Sequence, residues 1–383
     1  METAMEKDQA LKFMHDLLRR LVQKKGSDLF ITAGFPPAIK VDGEVIPQSS
    51  QRLTPEHTAV LARAIMTNKQ AVEFEASNEC NFAISPPDIG RFRVSAFVQQ
   101  GRVSVVLRTI PAAIPSIASL GLPPILKDIA MTKRGLVILV GGTGMGKTTS
   151  LAAMVDYRNE NSHGHIITVE DPIEFVHEHK KCIVSQREVG IDTESWEVAL
   201  KNTLRQAPDV ILMGEIRDRE TMNLAIAFAE TGHLCMATLH ANSANQALDR
   251  VINFFASDER RQQLLMDLSL NLRAFVSQRL LPLRNGKGRV AAVEVMLNTP
   301  HISDLIEKGE VAEIKNVIKR SRELGMQTFD QAIFDLYEAG KVTYEDALRN
   351  ADSVNDLRLQ IKLHSKEASD RDLTAGTQHL DIV

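Results

Sequence analysis

The residues Gly141–Thr148 read GGTGMGKT and fit the spacing G-x-x-x-x-G-K-S/T. Gly141, Gly144 and Gly146 permit a tight turn whose backbone N–H groups point inward as an anion nest. Gly142, Thr143, Met145 and Thr149 complete the backbone cradle. Lys147 adds a fixed positive charge for the outer phosphates of ATP or GTP, and the Thr148 hydroxyl is placed to ligate Mg²⁺. Chemistry at a phosphate also needs an acid near the metal and a group that orients water. Two acidic stretches close apolar runs. One is Glu170-Asp171-Pro172-Ile173-Glu174, which offers Glu170 and Glu174; the other ends in Glu215, where Gly214 signals a backbone that must come close to a neighbour.

These groups need elements that bring them together. The run Leu136–Val140 is a buried strand leading into the glycine loop, and a helix is expected from Leu151 with its positive end facing the phosphates. Further apolar runs at 165–170, 209–215, 233–240 and 289–297 alternate with helical stretches such as 196–206 and 222–229. That alternation predicts a mostly parallel sheet covered on both faces, with ligands at the C-terminal strand ends and the acid-bearing strands beside the loop strand. His233 and His240 sit at the two ends of one strand, seven residues and about 23 Å apart. Without thiolate partners they do not make a zinc site. Arg205, Arg217 and Arg219 flank the Glu215 strand and are candidate phosphate contacts.

Residues 1–109 carry a different pattern. A helix over 5–22 with Leu11, Met14, Leu17, Leu18 and Leu21 on one face precedes the strands 28–33 and 38–47, which turn at Asp42-Gly43. Thr54-Pro55 opens a second helix, and Phe92–Val98 and Val103–Leu107 are strands bearing or bordered by Arg91, Arg93 and Arg108. A small α+β domain results. Residues 110–124 contain Pro111, Pro115, Pro123 and Pro124 and read as a linker. The nucleotide domain spans 125–350; beyond Ala256 it is expected to be helical, with Leu264, Leu265, Leu268, Leu272 and Val276 on one face. Thr343-x-x-Asp346 caps the last clear helix, and 351–383 is a polar tail.

Bulk composition is that of an ordinary globular chain: 383 residues, 44% apolar, 25% charged, formal charge −4. The balance gives no basic surface and argues against a nucleic-acid partner. Cys80, Cys182 and Cys235 are dispersed, which fits a reducing cytoplasm. No run is long enough to span a bilayer and no signal peptide is present, so membrane contact is expected only through partners.

Four boxes in order carry a family resemblance. GGTGMGKTT (141–149) resembles the Walker A, TVEDPIEFVH (168–177) the acidic box, LRQAPDVILMGEIRD (204–218) the Walker B and TGHLCMATLHANSA (231–244) the His box of the secretion ATPases of bacterial type II secretion and type IV pili. KGSDLFITAGFPPAIKVDGEV and GRFRVSAF are similar to that family's N-terminal domain, and AEIKNVIKR with GMQTFDQAI to the C-terminal helices of its pilus-retraction branch, the PilT/PilU type. Departures are Gly142 for the usual Pro, Met145 for Ser, Phe30 for His and Ala207 for an acid. The reading EIKNVIKR and a longer C-terminus favour the PilU side.

The resemblance implies a RecA-like P-loop core, a smaller N-terminal PAS-like α+β domain, C-terminal helices and a homo-hexamer. It also implies ATP and Mg²⁺, with Glu215 polarising water and Thr148, Glu170 and Glu174 around the metal. His233 and His240 would sense nucleotide, and Arg93 and Arg108, with Arg91 as a third candidate, would act as arginine fingers. The partners it implies are an inner-membrane pilus platform protein and a paralogous retraction ATPase. The location it implies is cytoplasmic, at the inner membrane through the pilus machinery, and the activity ATP-driven pilus retraction, with an accessory ring supporting a paralogous retraction ATPase, or a type II secretion or pilus-assembly ATPase, as the alternatives.

Overall fold

The computed structural model describes residues 2–111, 113–255 and 258–365. They form two compact units: one up to Ala113 together with Glu174–Val176, the other Ile114–Ile173 and from His177 onward.

In the first unit, α1 (Glu2–Gln23) buries Met14, Leu17, Leu18 and Leu21, the stripe its spacing predicts. Strands β1 (Asp28–Thr32), β2 (Ala38–Val41) and β3 (Glu44–Pro47) follow. Asp42 and Gly43 both take positive φ, the requirement of a two-residue hairpin turn. Helix α2 (Pro55–Ile65) is capped by Thr54, with His57 closing the capping box. Helix α3 (Asn68–Ser77) and β4 (Glu79–Ile84) occupy a stretch to which the sequence reading assigned no element; β5 (Arg91–Gln99) and β6 (Arg102–Ile110) end the unit. The six strands are antiparallel in the order β3-β2-β1-β6-β5-β4. Leu29, Ile31, Phe92, Val94, Val105 and Leu107 pack with the α1 stripe and with Leu61 and Ile65 of α2.

The second unit begins inside the stretch expected as a linker. Ile110 closes β6, and Ile117 and Leu122 are buried with Leu126 and Ile129 of α4 (Ile125–Ala130). The prolines forbid a helix there but leave apolar residues free to join the core.

Next come β7 (Gly135–Val140), α5 (Lys147–Asn161), β8 (Gly164–Glu170), β9 (Cys182–Glu188), α6 (Trp196–Thr203) and β10 (Val210–Met213). Then follow α7 (Arg219–Glu230), β11 (Leu234–Leu239), α8 (Ala244–Asn253), α9 (Asp258–Asn271), β12 (Leu272–Pro282) and β13 (Arg289–Leu297). The sheet runs β13-β12-β7-β11-β10-β8-β9, parallel except between β12 and β13. Both faces are covered: Leu136, Ile138 and Val140 of β7 enter one apolar cluster, Val137 and Leu139 the other. This is a RecA-like core.

Two sequence expectations change here. Leu272 and Val276 are not helical; α9 stops at Asn271 and both lie in β12, paired on β7 and β13. The polar tail expected from 351 starts with a packed helix. After α10 (Pro300–Lys308), α11 (Val311–Arg320), α12 (Phe329–Glu338) and α13 (Tyr344–Asn350), helix α14 (Val354–His364) buries Leu357 and Ile361. They join Phe329, Ile333, Tyr337 and Leu281. Thr343 does cap α13. Residues 366–383 of that expected tail lie outside the described residues. Among the described residues, no helix is long and apolar enough to cross a membrane.

Candidate nucleotide site

The loop after β7 has the backbone its composition predicts. Gly144 and Gly146 take φ of 75° and 78°, and α5 starts at Lys147 with no side-chain cap and no acid in its first turn. Its leading N–H groups are therefore aimed into the loop without a competing carboxylate. Lys147 is buried, and its Nζ donates to the carbonyls of Gly141 (2.7 Å) and Gly142 (2.9 Å). Burial holds its pKa below the usual lysine range, opposed by Glu215. Thr143, Gly144 and Thr148 are exposed; Gly142, Met145 and Thr149 are half-buried.

The acid-bearing strands are not immediate neighbours of the loop strand. β11 lies between β7 and β10, and β8 lies beyond β10. β11 supplies the reach across this gap. It pairs with β7 from Leu234 opposite Gly135 to Leu239 opposite Val140, so His240 emerges beside the loop. His240 Nε2 is 3.3 Å from Glu215 Oε1. Burial, then the charge of Lys147, holds His240 below the ordinary histidine pKa. Nε2 is thus the ring nitrogen that faces the Glu215 carboxylate.

Gly214 sets the position of Glu215. Its N–H donates to Val169 O (2.8 Å), its carbonyl accepts from Thr238 Oγ1, and Ile216 N donates to Thr238 O (2.8 Å). A Cβ at Gly214 would stand 3.1 Å from Trp196 and 3.3 Å from Val169 O, so the close approach expected of this glycine is present. Arg217 donates to Glu215 Oε2 (3.1 Å), lies 3.6 Å from Asp171 and covers Trp196. Of the three arginines flanking this strand, Arg217 is thus committed to the acids. Arg219 lies over Phe255, and Arg205 is exposed in a short 3₁₀ turn.

The two acids expected around a metal are placed differently. Glu170 is buried at the end of β8, accepting from Thr168 Oγ1 (2.6 Å) and Gln186 Nε2 (3.2 Å). Glu174 is exposed and groups with the first unit. His233 stands at the start of β11, the end remote from the loop, with Nδ1 against Thr231 Oγ1 (3.0 Å) and Phe228 O (3.2 Å). Within one chain, then, His240 meets the site and His233 does not.

In the first unit Arg93 and Arg108 are direct cross-strand partners of β5 and β6 and so share a face. Arg108 Nε donates to buried Asp28 (2.8 Å), which raises its already high pKa. Two cations placed opposite each other cost stability, and one carboxylate offsets only part of that cost. Arg91 opens β5.

A model of the family described as "Type II/IV secretion system protein" matches residues 4–349. The chain belongs to that family. It is 62% identical over 366 residues to the type IV pilus ATPase PilU of Pseudomonas aeruginosa, covering 96% of this chain and 95% of that one. It is 43% identical over 336 residues to the type IV pilus retractation ATPase PilT of the same bacterium, covering 88% and 97%. A crystal structure of the pilus retraction motor PilT with bound ADP superposes with a TM-score of 0.84 at 39% identity, over 90% of this chain and 98% of that one. This type II/IV secretion system protein is a secretion ATPase of the PilT/PilU type.

The hydroxyl of Thr148 is a hard oxygen donor of the type that Mg²⁺ takes. No cluster of three or more His, Cys, Asp or Glu side chains able to hold a metal occurs among the described residues. Thr148, exposed in the first turn of α5, is the side chain best placed by type. Beside the loop opens a cavity of about 610 Å³ lined by Gly142, His240, Asn242, Arg250 and Phe254 among others. Sequence spacing assigns no role to Gln186 or Thr168, which hold Glu170. Their signal is alternation on β9 and β8, which puts every second residue on the face of the acid.

Proposed function

We propose that this secretion ATPase is the subunit of a hexameric, ATP-hydrolysing motor that drives type IV pilus retraction and hence twitching motility. The observation that carries the reading is the meeting of the Lys147 loop with the Glu215–His240 pair at the C-terminal ends of the central strands. The 62% identity to PilU directs it to the pilus.

In this reading the Gly141–Thr149 backbone and Lys147 hold the phosphates of ATP. Thr148 would hold Mg²⁺, with Glu170 organising the shell around it; bound there, the ion would neutralise charge on the phosphate oxygens. Glu215 orients a water for in-line attack on the γ-phosphorus. A new P–O bond forms, the bond to the β–γ bridging oxygen breaks, ADP leaves, and the water proton passes to Glu215. His240 steers the Glu215 carboxylate by donating to it, and His233 reports nucleotide state from the far end of the strand. Arg93 and Arg108 act as fingers on the γ-phosphate when subunits close, an effect on the order of 10³–10⁵ in turnover. Rotation between the units transmits force to an inner-membrane platform protein from the cytoplasmic side.

The test is twitching of a strain lacking this chain, complemented with the wild type or with Lys147→Ala. Restoration by the wild type alone supports the reading; restoration by both contradicts it. The 62%-identical relative is named a type IV pilus ATPase and only the 43%-identical one a retractation ATPase, which favours a second reading, an accessory ring assisting a paralogous retraction ATPase. Under that reading Lys147→Ala abolishes twitching only when the paralogue's equivalent lysine is also replaced.

A further inference from the structure

β12 runs beside β7, with Ser277 opposite Val140, the residue before the loop. Gln278 therefore comes level with the loop itself. It is 4% exposed, and both ends of its amide are used. Nε2 donates to the Met145 carbonyl (2.7 Å), and Oε1 accepts from Ser150 Oγ (2.7 Å) in the first turn of α5. A Cβ at Gly146 would meet Gln278 Nε2 at 2.7 Å, and one at Gly141 would meet the Gln278 carbonyl at 2.8 Å. Gly141 is thus required by the closeness of the β12 backbone, and Gly146 by its positive φ, with the Gln278 amide as its near neighbour.

We propose that Gln278 is a positioning residue of the phosphate loop, a clamp that fixes the Met145–Gly146 peptide and the start of α5 in their phosphate-binding arrangement. In a trans peptide the C=O and N–H point in opposite directions. Pulling the Met145 carbonyl out toward Gln278 therefore turns the Gly146 N–H into the concavity where phosphates would lie. The Ser150 hydroxyl ties the helix end to the same amide, so the nest and the helix terminus keep one relative position. The inference rests on the assignment of this loop to nucleotide.

The experiment measures binding of a fluorescent N-methylanthraniloyl ADP and steady-state ATP hydrolysis for the full chain and four variants: Lys147→Ala, Gln278→Leu, Ser150→Ala and the Gln278→Leu/Ser150→Ala double. Gln278→Leu keeps volume and removes both hydrogen bonds. It is expected to weaken the ADP analogue about tenfold and to raise KM for ATP in step, with a smaller change in kcat. Ser150→Ala is expected to weaken binding several-fold in the wild-type background and to add nothing in Gln278→Leu, because the hydroxyl acts through the amide. Wild-type affinity in Gln278→Leu, or equal effects of Ser150→Ala in both backgrounds, would overturn the clamp. If Gln278→Leu does not fold, Ser150→Ala decides: weakened binding supports the clamp, unchanged binding refutes it. Failure of the wild type to bind the analogue, or equal binding by Lys147→Ala, instead refutes the nucleotide assignment itself.

Discussion

At the residue scale, charge and burial separate the groups that do chemistry from those that hold the fold. Arg93 and Arg108 test this most simply, because only Arg108 has the buried Asp28 as partner. Arg93→Ala is expected to lower ATP turnover by about 10³-fold with a thermal midpoint at or slightly above that of the wild type, because it relieves the repulsion with Arg108. Arg108→Ala is expected to lower turnover and also the midpoint, since it leaves Asp28 buried and unpaired; equal midpoints would contradict the pairing. His177 belongs to the other class. Burial drives its pKa from the ordinary 6.5 to about 4. The unfolded chain therefore takes up its proton first. The stability this neutral histidine allows is complete above pH 6.5 and falls as pH drops toward 4, by roughly 3 kcal/mol in all. Urea unfolding between pH 7 and 4.5 should lose that part of its pH dependence in His177→Phe; an unaltered dependence would place the titration elsewhere.

At the element scale, the local rules that make a loop or cap legible are short-range, and what they missed is long-range. GGTGMGKT, the Thr54 and Thr343 caps and the Asp42-Gly43 turn each depend on a few consecutive residues, and each was readable. β12 was not, because Leu272 and Val276 continue a helical spacing begun by Leu264 and Leu268; pairing with β7 and β13 overrides it. The readable signal was downstream. Asn285-Gly286 between Leu281 and Val290 marks a hairpin, which implies a strand before it. Missing β12 meant missing Gln278. The same strand reaches the C-terminal helices: Arg279 donates to Asn350 O (2.9 Å), pairs with Asp352 (2.6 Å) and lies over Phe329. Helix α14 was hidden for a related reason, since only two of its residues face inward. Leu357→Ala should cost about 2–5 kcal/mol, whereas exposed Leu359→Ala should stay within about 0.5 kcal/mol. Equal small effects on urea unfolding would return 351–364 to the status of a loose tail.

At the scale of the whole molecule, one chain contributes the loop, Glu215 and His240 from its larger unit, while Arg93 and Arg108 belong to the smaller one. If the fingers act when subunits close, turnover per chain should rise with protein concentration until assembly is complete and then level off. A rate per chain constant across dilution to the monomer would count against it. The central claim, however, is that Glu215 activates the water while the loop holds the nucleotide. Its most direct measurement is single-turnover ATP hydrolysis by Glu215→Gln, with binding of the fluorescent ADP analogue measured on the same sample. The expected result is binding within about twofold of wild type and a hydrolysis rate lower by roughly 10²–10⁴-fold, the range of a lost general base. Hydrolysis at the wild-type rate in that variant would contradict the account.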